Sequence, residues 1–155
     1  MSLTFQQIMI TAYNSYFVLG QFSLVNNNDG NGVVIGSWNV PGVAQPTVEQ
    51  VMALDNPTLE LQYNVMQFSL SGGLLLTSFM DSVALQRQYS SAVSCASYIN
   101  SGTTQWKNEA TAFIAWRDSV FTYIFEQEAL MLAGTRTIPT FADFQTELPV
   151  ITWPS

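Results

Sequence analysis

Phe113-Ile114-Ala115-Trp116-Arg117-Asp118-Ser119-Val120-Phe121-Thr122-Tyr123-Ile124-Phe125 is the stretch on which the fold turns. Read outward from it, apolar residues recur at helical spacing from about Thr104 to Ala133, with Trp106, Ala110, Phe113, Val120, Ile124 and Met131 on one stripe. Trp116, Phe121, Tyr123 and Phe125 spill beyond that stripe. A helix that is apolar over most of its circumference cannot be covered by one neighbouring helix, so a second lobe or another chain is needed to cover the rest. Arg117 and Asp118 read as the narrow wet stripe of this helix in preference to a buried polar contact with a partner. Gly134 stops the helix. Pro139-Thr140-Phe141 then opens a short one with Thr140 as its cap. The tail from Leu148 to Ser155 cannot be helical, because Pro149 and Pro154 restrict themselves and the residues before them. It should lie extended, with Trp153 as an anchor.

Working toward the N-terminus, Leu75, Phe79, Val83, Gln86, Ser90, Val93 and Ser97 fit a second long helix from Leu74 to about Tyr98, closed by Asn100-Ser101-Gly102. Ser71-Gly72-Gly73 before it is the best candidate for a hinge, dividing the chain into lobes 1–72 and 73–155. From Pro57 to Leu70 the pattern fits both an alternating strand (Leu59, Leu61, Tyr63, Val65) and a helix (Leu59, Tyr63, Met66, Leu70), and the helix is the preferred reading. Thr47, with Gln50 three residues on, forms a capping box for a short helix that Asn56-Pro57 ends. Pro46-Thr47 and Pro139-Thr140 repeat one capping device, which shared physics explains without duplication.

Residues 1–40 are rich in β-branched and aromatic side chains. Tyr16-Phe17-Val18-Leu19, Phe22-Ser23-Leu24-Val25 and Val33-Val34-Ile35-Gly36-Ser37-Trp38 read as strands, and the Asn26–Gly32 cluster between the last two reads as a hairpin turn. A calcium loop is the competing reading of that cluster. The spacing of Asn27, Asp29, Asn31 and Gly32 would put Trp38 where the bidentate Glu belongs, so the turn is favoured. The fold expected is α+β: an N-terminal β-hairpin lobe, then a helical lobe with two long helices and an extended C-terminal tail.

Composition narrows the chemistry. Charged residues are 10% of 155, while Ser, Thr, Gln and Asn together number 51, so much of what faces water is uncharged. Four Lys and Arg against 11 Asp and Glu give a net charge of −7, which argues against direct nucleic-acid binding. The absence of histidine removes Ser-His-Asp, Cys-His and His-based zinc sites. The single cysteine, Cys95, lies in a small-residue run with no basic neighbour to activate it, so it reads as an inert core thiol. Glu126 with Glu128, and Asp55 with Glu60, read as solvated surface rather than catalytic pairs. The Gly-rich stretches lack the context and the lysine of a phosphate cradle. No catalytic residue, metal or cofactor is implied. The charge-free N-terminal stretch is broken by Gln6, Gln7, Asn14, Ser15 and Gln21 and lacks a cationic leader, so neither a membrane span nor a secretory signal is expected there. Synthesis in a cytoplasm is expected.

The run from Ala110 through Trp116-Arg117-Asp118 to Tyr123, then Gly134-Thr135-Arg136, Pro139-Thr140, Leu148-Pro149 and Trp153-Pro154, resembles a C-terminal pattern of small bacteriophage tail proteins of the tail-fibre-associated and tail-fibre-assembly type. Asn28-Asp29-Gly30-Asn31-Gly32, Trp38-Asn39 and Gln45-Pro46-Thr47 are similar to the hairpin-then-helix opening of tail-fibre-associated proteins. The resemblance implies a tail-located subunit at the baseplate or fibre attachment, made in the host cytoplasm, or a chaperone that helps fibres fold and leaves. It implies fibre or baseplate subunits as partners, with self-association besides. The interface residues expected are Tyr16, Phe17, Trp38, Trp106, Phe113, Trp116, Arg117, Phe121, Tyr123 and Trp153. A third reading, from a different class, is a carbohydrate-binding module for the host surface, which needs a concave aromatic cleft with convergent polar groups.

Overall fold

The computed structural model describes residues 2–30 and 32–155, so the part of the expected turn that falls on Asn31 lies outside the described residues. The chain is α+β, a two-stranded antiparallel hairpin near the N-terminus followed by mostly helical segments. It divides into two compact units, residues 1–64 and 65–155.

Unit 1 begins with α1 (Phe5–Ala12) and α2 (Asn14–Val18), where the sequence suggested strands. Thr4 decides this locally. Its hydroxyl accepts from the Gln7 amide while the Gln7 side chain accepts from the Thr4 amide at 2.8 Å, a complete capping box. The helix then delivers Ile8 and Met9, both fully buried, to a core with Leu3, Phe22, Val40, Val51 and Leu59. Strand propensity in Tyr16-Phe17-Val18 is overridden within α2, which has no side-chain cap of its own and from which Phe17 packs 5.4 Å from Phe22.

The hairpin pairs β1 (Phe22–Asn26) with β2 (Val33–Trp38), Phe22 opposite Trp38 and Asn26 opposite Val33. The register slips between Ser23 and Leu24, which leaves Gly36 as the extra residue of a bulge. A Cβ at Gly36 would come within 2.7 Å of the Val25 side chain, so a larger residue cannot stand there without displacing its neighbour. Two strands alone are marginal. Tyr13 and Phe17 cover this pair, with ring centroids 6.4 and 5.4 Å from Phe22. Thr47 caps α3 (Val48–Met52) with the expected box to Gln50. Asp55 accepts from Ser2 Oγ at 2.5 Å and from the Leu3 amide, tying down the start of the chain.

Helix α4 runs from Pro57 to Leu85. Asn56 starts it, its side-chain oxygen accepting from the amides of Thr58 and Leu59 at 3.0 Å each. The hinge expected at Ser71-Gly72-Gly73 is not there: these residues lie inside α4. Ser71 and Thr77 bond back to carbonyls of their own helix, and Gly72 lets the ring of Phe141 come within 3.4 Å of where its Cβ would stand. Among the described residues, α4 is the one helix long and apolar enough to cross a membrane, with 28% of its most apolar window buried.

The expected helix 74–98 is also corrected, because α4 stops at Leu85. The Gln88 amide donates to Leu85 O and the Tyr89 amide to Ala84 O, with Gln88 at φ +65°, the left-handed reversal that ends many helices. Ser91 then caps α5 (Ala92–Ser97), and a single 3₁₀ turn spans Tyr98–Asn100. Helix α6 (Thr104–Leu132) matches the expected extent and ends in the same kind of reversal, with Gly134 at φ +70°. Thr140 caps α7 (Phe141–Glu147), and residues 148–155 are extended.

Gly73 sits mid-helix with nothing within 4 Å of an added Cβ. Gly73→Ala should therefore stabilise the fold by about 1 kcal/mol, the helix-propensity difference, read as a higher denaturation midpoint in urea. A hinge at this position would give the opposite sign.

Candidate functional site

Unit 2 is organised around α6. Along α4, Ser69 meets Glu128 and Phe79 meets Trp116, so the partner recedes as α4 advances and the two helices run antiparallel. Phe113, Val120 and Met131 of α6 are fully buried and Trp116 is nearly so. The C-terminal segment closes another side. Trp116 Nε1 donates to Pro149 O at 2.7 Å. Phe144 packs edge-on against Phe68 and lies 5.9 Å from Tyr123, with the Arg136 guanidinium over its ring at 5.5 Å. Arg136 also donates to both Glu147 oxygens, at 2.9 and 2.7 Å, and to Gln127 Oε1. The turn, cap, Leu-Pro and tryptophan elements quoted above from the C-terminal half are thus the parts of one interlocked framework.

The ten expected interface residues fall into three groups. Tyr16, Phe17 and Trp38 belong to unit 1, where Trp38 packs 5.4 Å from Phe22 and its indole donates to Val43 O at 2.8 Å. Phe113, Trp116, Tyr123 and Trp153 are framework residues of unit 2. Trp153, expected as an anchor to a partner chain, is seated within its own unit: it stacks on Phe113 at 6.1 Å and 18°, and donates to Gln86 Oε1. Trp106, Arg117 and Phe121 reach solvent. Trp106 was expected on the buried stripe, yet it is 46% exposed, while Trp116, expected off it, is buried. Arg117 pairs with Asp118 at 2.9 Å on the surface, as a wet stripe would.

Two surfaces of unit 2 have the form of recognition sites. The first is an apolar groove of about 170 Å³ between α4 and α6, lined by Phe68, Gly72, Leu76, Phe121, Ile124 and Phe125. Ser69 Oγ donates to Glu128 Oε1 at 2.5 Å beside it. Phe121 and Phe125 stack on each other at 6.3 Å with Phe125 64% exposed, and Leu70 and Leu74 of α4 are more exposed than buried. A shallower trough shares Phe121 and continues past Met80 and Val93 to Arg117.

The second is a polar cleft of about 430 Å³ where the turn after α4 meets the start of α6. Glu109, 3% exposed, forms its floor. Its carboxyl accepts from Tyr89 Oη at 2.7 Å and from Gln105 Nε2 at 3.2 Å, and Arg87 Nη1 lies 3.9 Å away. Burial, reinforced by the bond to Glu109, pushes the Tyr89 hydroxyl far above its ordinary range, so it remains a donor. Tyr98 stands between two aromatic neighbours, 5.4 Å from Tyr89 and 5.6 Å edge-on to Trp106. Sequence reasoning put Trp106 on the core and passed over Tyr89, Tyr98, Gln105 and Glu109. These residues come from three elements, and their convergence has no signature in local spacing.

Among the described residues no group of three His, Cys, Asp or Glu could hold a metal ion. Comparison with protein-family models, curated proteins and solved structures finds no match to this chain.

Two outcomes follow from this geometry. Cys95 is fully buried and burial pushes its thiol up to about 11, so native protein at pH 8 should resist iodoacetamide while urea-unfolded protein reacts at once, as checked by mass spectrometry. Hydrogen bonds from Tyr123 and then Arg136 hold the Glu147 carboxyl below its usual range. A carboxyl depressed in the folded state contributes stability above its unfolded value of about 4.3, and that contribution is lost as pH falls through the lower folded value. Glu147→Gln should therefore flatten the loss of melting temperature between about pH 5 and pH 3, and an unchanged slope would show the contact to be inconsequential.

Proposed function

We propose that this chain is a structural subunit of a bacteriophage virion tail, an adaptor or cement at the baseplate or the tail-fibre attachment, with no catalytic role. The observation that carries the reading is the apolar surface of unit 2. Phe125, Leu70 and Leu74 are 64, 64 and 80% exposed, in a chain with few charges to keep it apart from its neighbours. Stacked rings beside a groove, with exposed leucines elsewhere on α4, offer what a partner chain buries when it docks permanently.

The C-terminal resemblance points to the same setting. Trp116, Arg136, Phe144 and Trp153 hold the framework together, which leaves Phe121 and Phe125 of the same helix free to be covered from outside. Fibre or baseplate subunits are the partners on this reading, and the docked chain resides in the tail after synthesis in the host cytoplasm.

Washed, purified tails should contain the protein at a fixed copy number by quantitative mass spectrometry. Phe125→Asp should remove it from particles while leaving the isolated fold intact by circular dichroism, since an exposed site tolerates the change. Recovery from the lysate alone, never from washed particles, would replace the adaptor with a fibre-assembly chaperone.

A further inference from the structure

We infer that the polar cleft at the start of α6 is a binding site for a neutral saccharide, with Trp106 as the stacking face, Tyr98 edge-on beside it, and the glutamines around them as the hydroxyl-reading groups. The reading stands on the cleft alone and does not depend on the tail assignment.

The chemistry of the lining argues in turn against an anion, a metal ion and a purely apolar ligand. An anion such as a phosphate would find one cation, Arg87. That guanidinium already donates to Pro154 O at 3.2 Å and stands over the Trp153 ring at 5.5 Å, beside the carboxyl of Glu109. A metal ion would find one carboxyl, with both oxygens already accepting hydrogen bonds. A purely apolar ligand would have to strip water from Gln86, Gln88, Gln105 and Arg87 with nothing to replace it. What remains is a ligand with one apolar face and a rim of hydroxyls that both donate and accept, which describes a pyranose ring. Aromatic side chains carry the apolar contact at little entropic cost, and a few fixed polar groups set the orientation.

The polar groups are prepared for that task. Gln86 accepts from Trp153 Nε1 through its oxygen, which fixes the amide and leaves its NH₂ as a donor. Gln105 donates to Glu109 through its nitrogen, which leaves its oxygen as an acceptor. The floor is rigid, since Tyr89, Gln105 and Glu109 satisfy one another. Trp106 is 46% exposed and Tyr98 38%.

A second observation points to the same place. Two long helices end in the same left-handed reversal, but α6 uses Gly134 and α4 uses Gln88 at φ +65°. A side chain there costs stability that glycine would not, and such a cost is met where the side chain has work to do. Gln88 lines the cleft.

The test is a titration of the purified full chain with trisaccharides of glucose, galactose, rhamnose and N-acetylglucosamine, followed by tryptophan fluorescence and calorimetry, with a proline-rich decapeptide alongside. Saturable binding of at least one saccharide is expected, with a blue shift of the emission. Trp106→Ala should weaken it at least tenfold. Gln88→Gly should weaken binding while raising the melting temperature, a split that a merely structural glutamine would not give. The inference is overturned if none of the four saccharides binds at 10 mM, on the order of the weakest affinities in use, or if binding survives both substitutions. Capture of the peptide in place of the sugars also overturns it.

Discussion

Helix α6 has apolar residues on more of its circumference than one neighbour can cover, and the arrangement of unit 2 answers that constraint. The antiparallel α4 covers one side, through Phe79 on Trp116 and Ser69 on Glu128. The segment after Gly134 folds back to cover another, with Phe144 and Leu148 buried and Trp153 laid on Phe113. Each buried apolar side chain contributes about 2 kcal/mol relative to exposure, so Phe144 and Leu148 of the returning segment together contribute about 4 kcal/mol. Phe121 and Phe125 are what this covering leaves over.

The shortage of charge shapes the rest of the molecule. Neutral polar side chains take over tasks that charged ones often perform. Thr4, Thr47, Ser91 and Thr140 cap helices, and serines and threonines along α4 and α6 bond back to their own helix carbonyls. Glutamines supply the polar rim of the cleft. The few ion pairs that do occur are placed differently: Arg117 with Asp118 is exposed and worth little, whereas Arg136 with Glu147 is joined by Tyr123 and an aromatic ring and closes the C-terminal framework.

Much of the fold was legible in the residue order because its signals are local. A cap such as Thr47 with Gln50, a reversal at Gly134, or the hairpin between Val25 and Val33 depends on residues a few positions apart. The misreadings occurred where a local signal was outweighed. Ser71-Gly72-Gly73 looks like a break, yet inside α4 it is where small residues admit the ring of Phe141. Tyr16-Phe17-Val18 looks like a strand, yet it is helical in α2, from which the ring of Phe17 packs on Phe22.

By itself, the sequence determined the α+β class, the long helix over 104–132, the caps at Thr47 and Thr140, the extended tail and the poverty of charge, all properties of spacing or composition. Tertiary structure alone decided that Trp116 is buried and Trp106 is not, that Trp153 packs within its own unit, and that Tyr89, Tyr98, Gln105 and Glu109 converge on one cleft. The physical reason is that burial depends on which other elements arrive to cover a helix face. For α6 those elements are α4, α5 with the 3₁₀ turn after it, and the C-terminal segment, and no local pattern encodes which face each one covers.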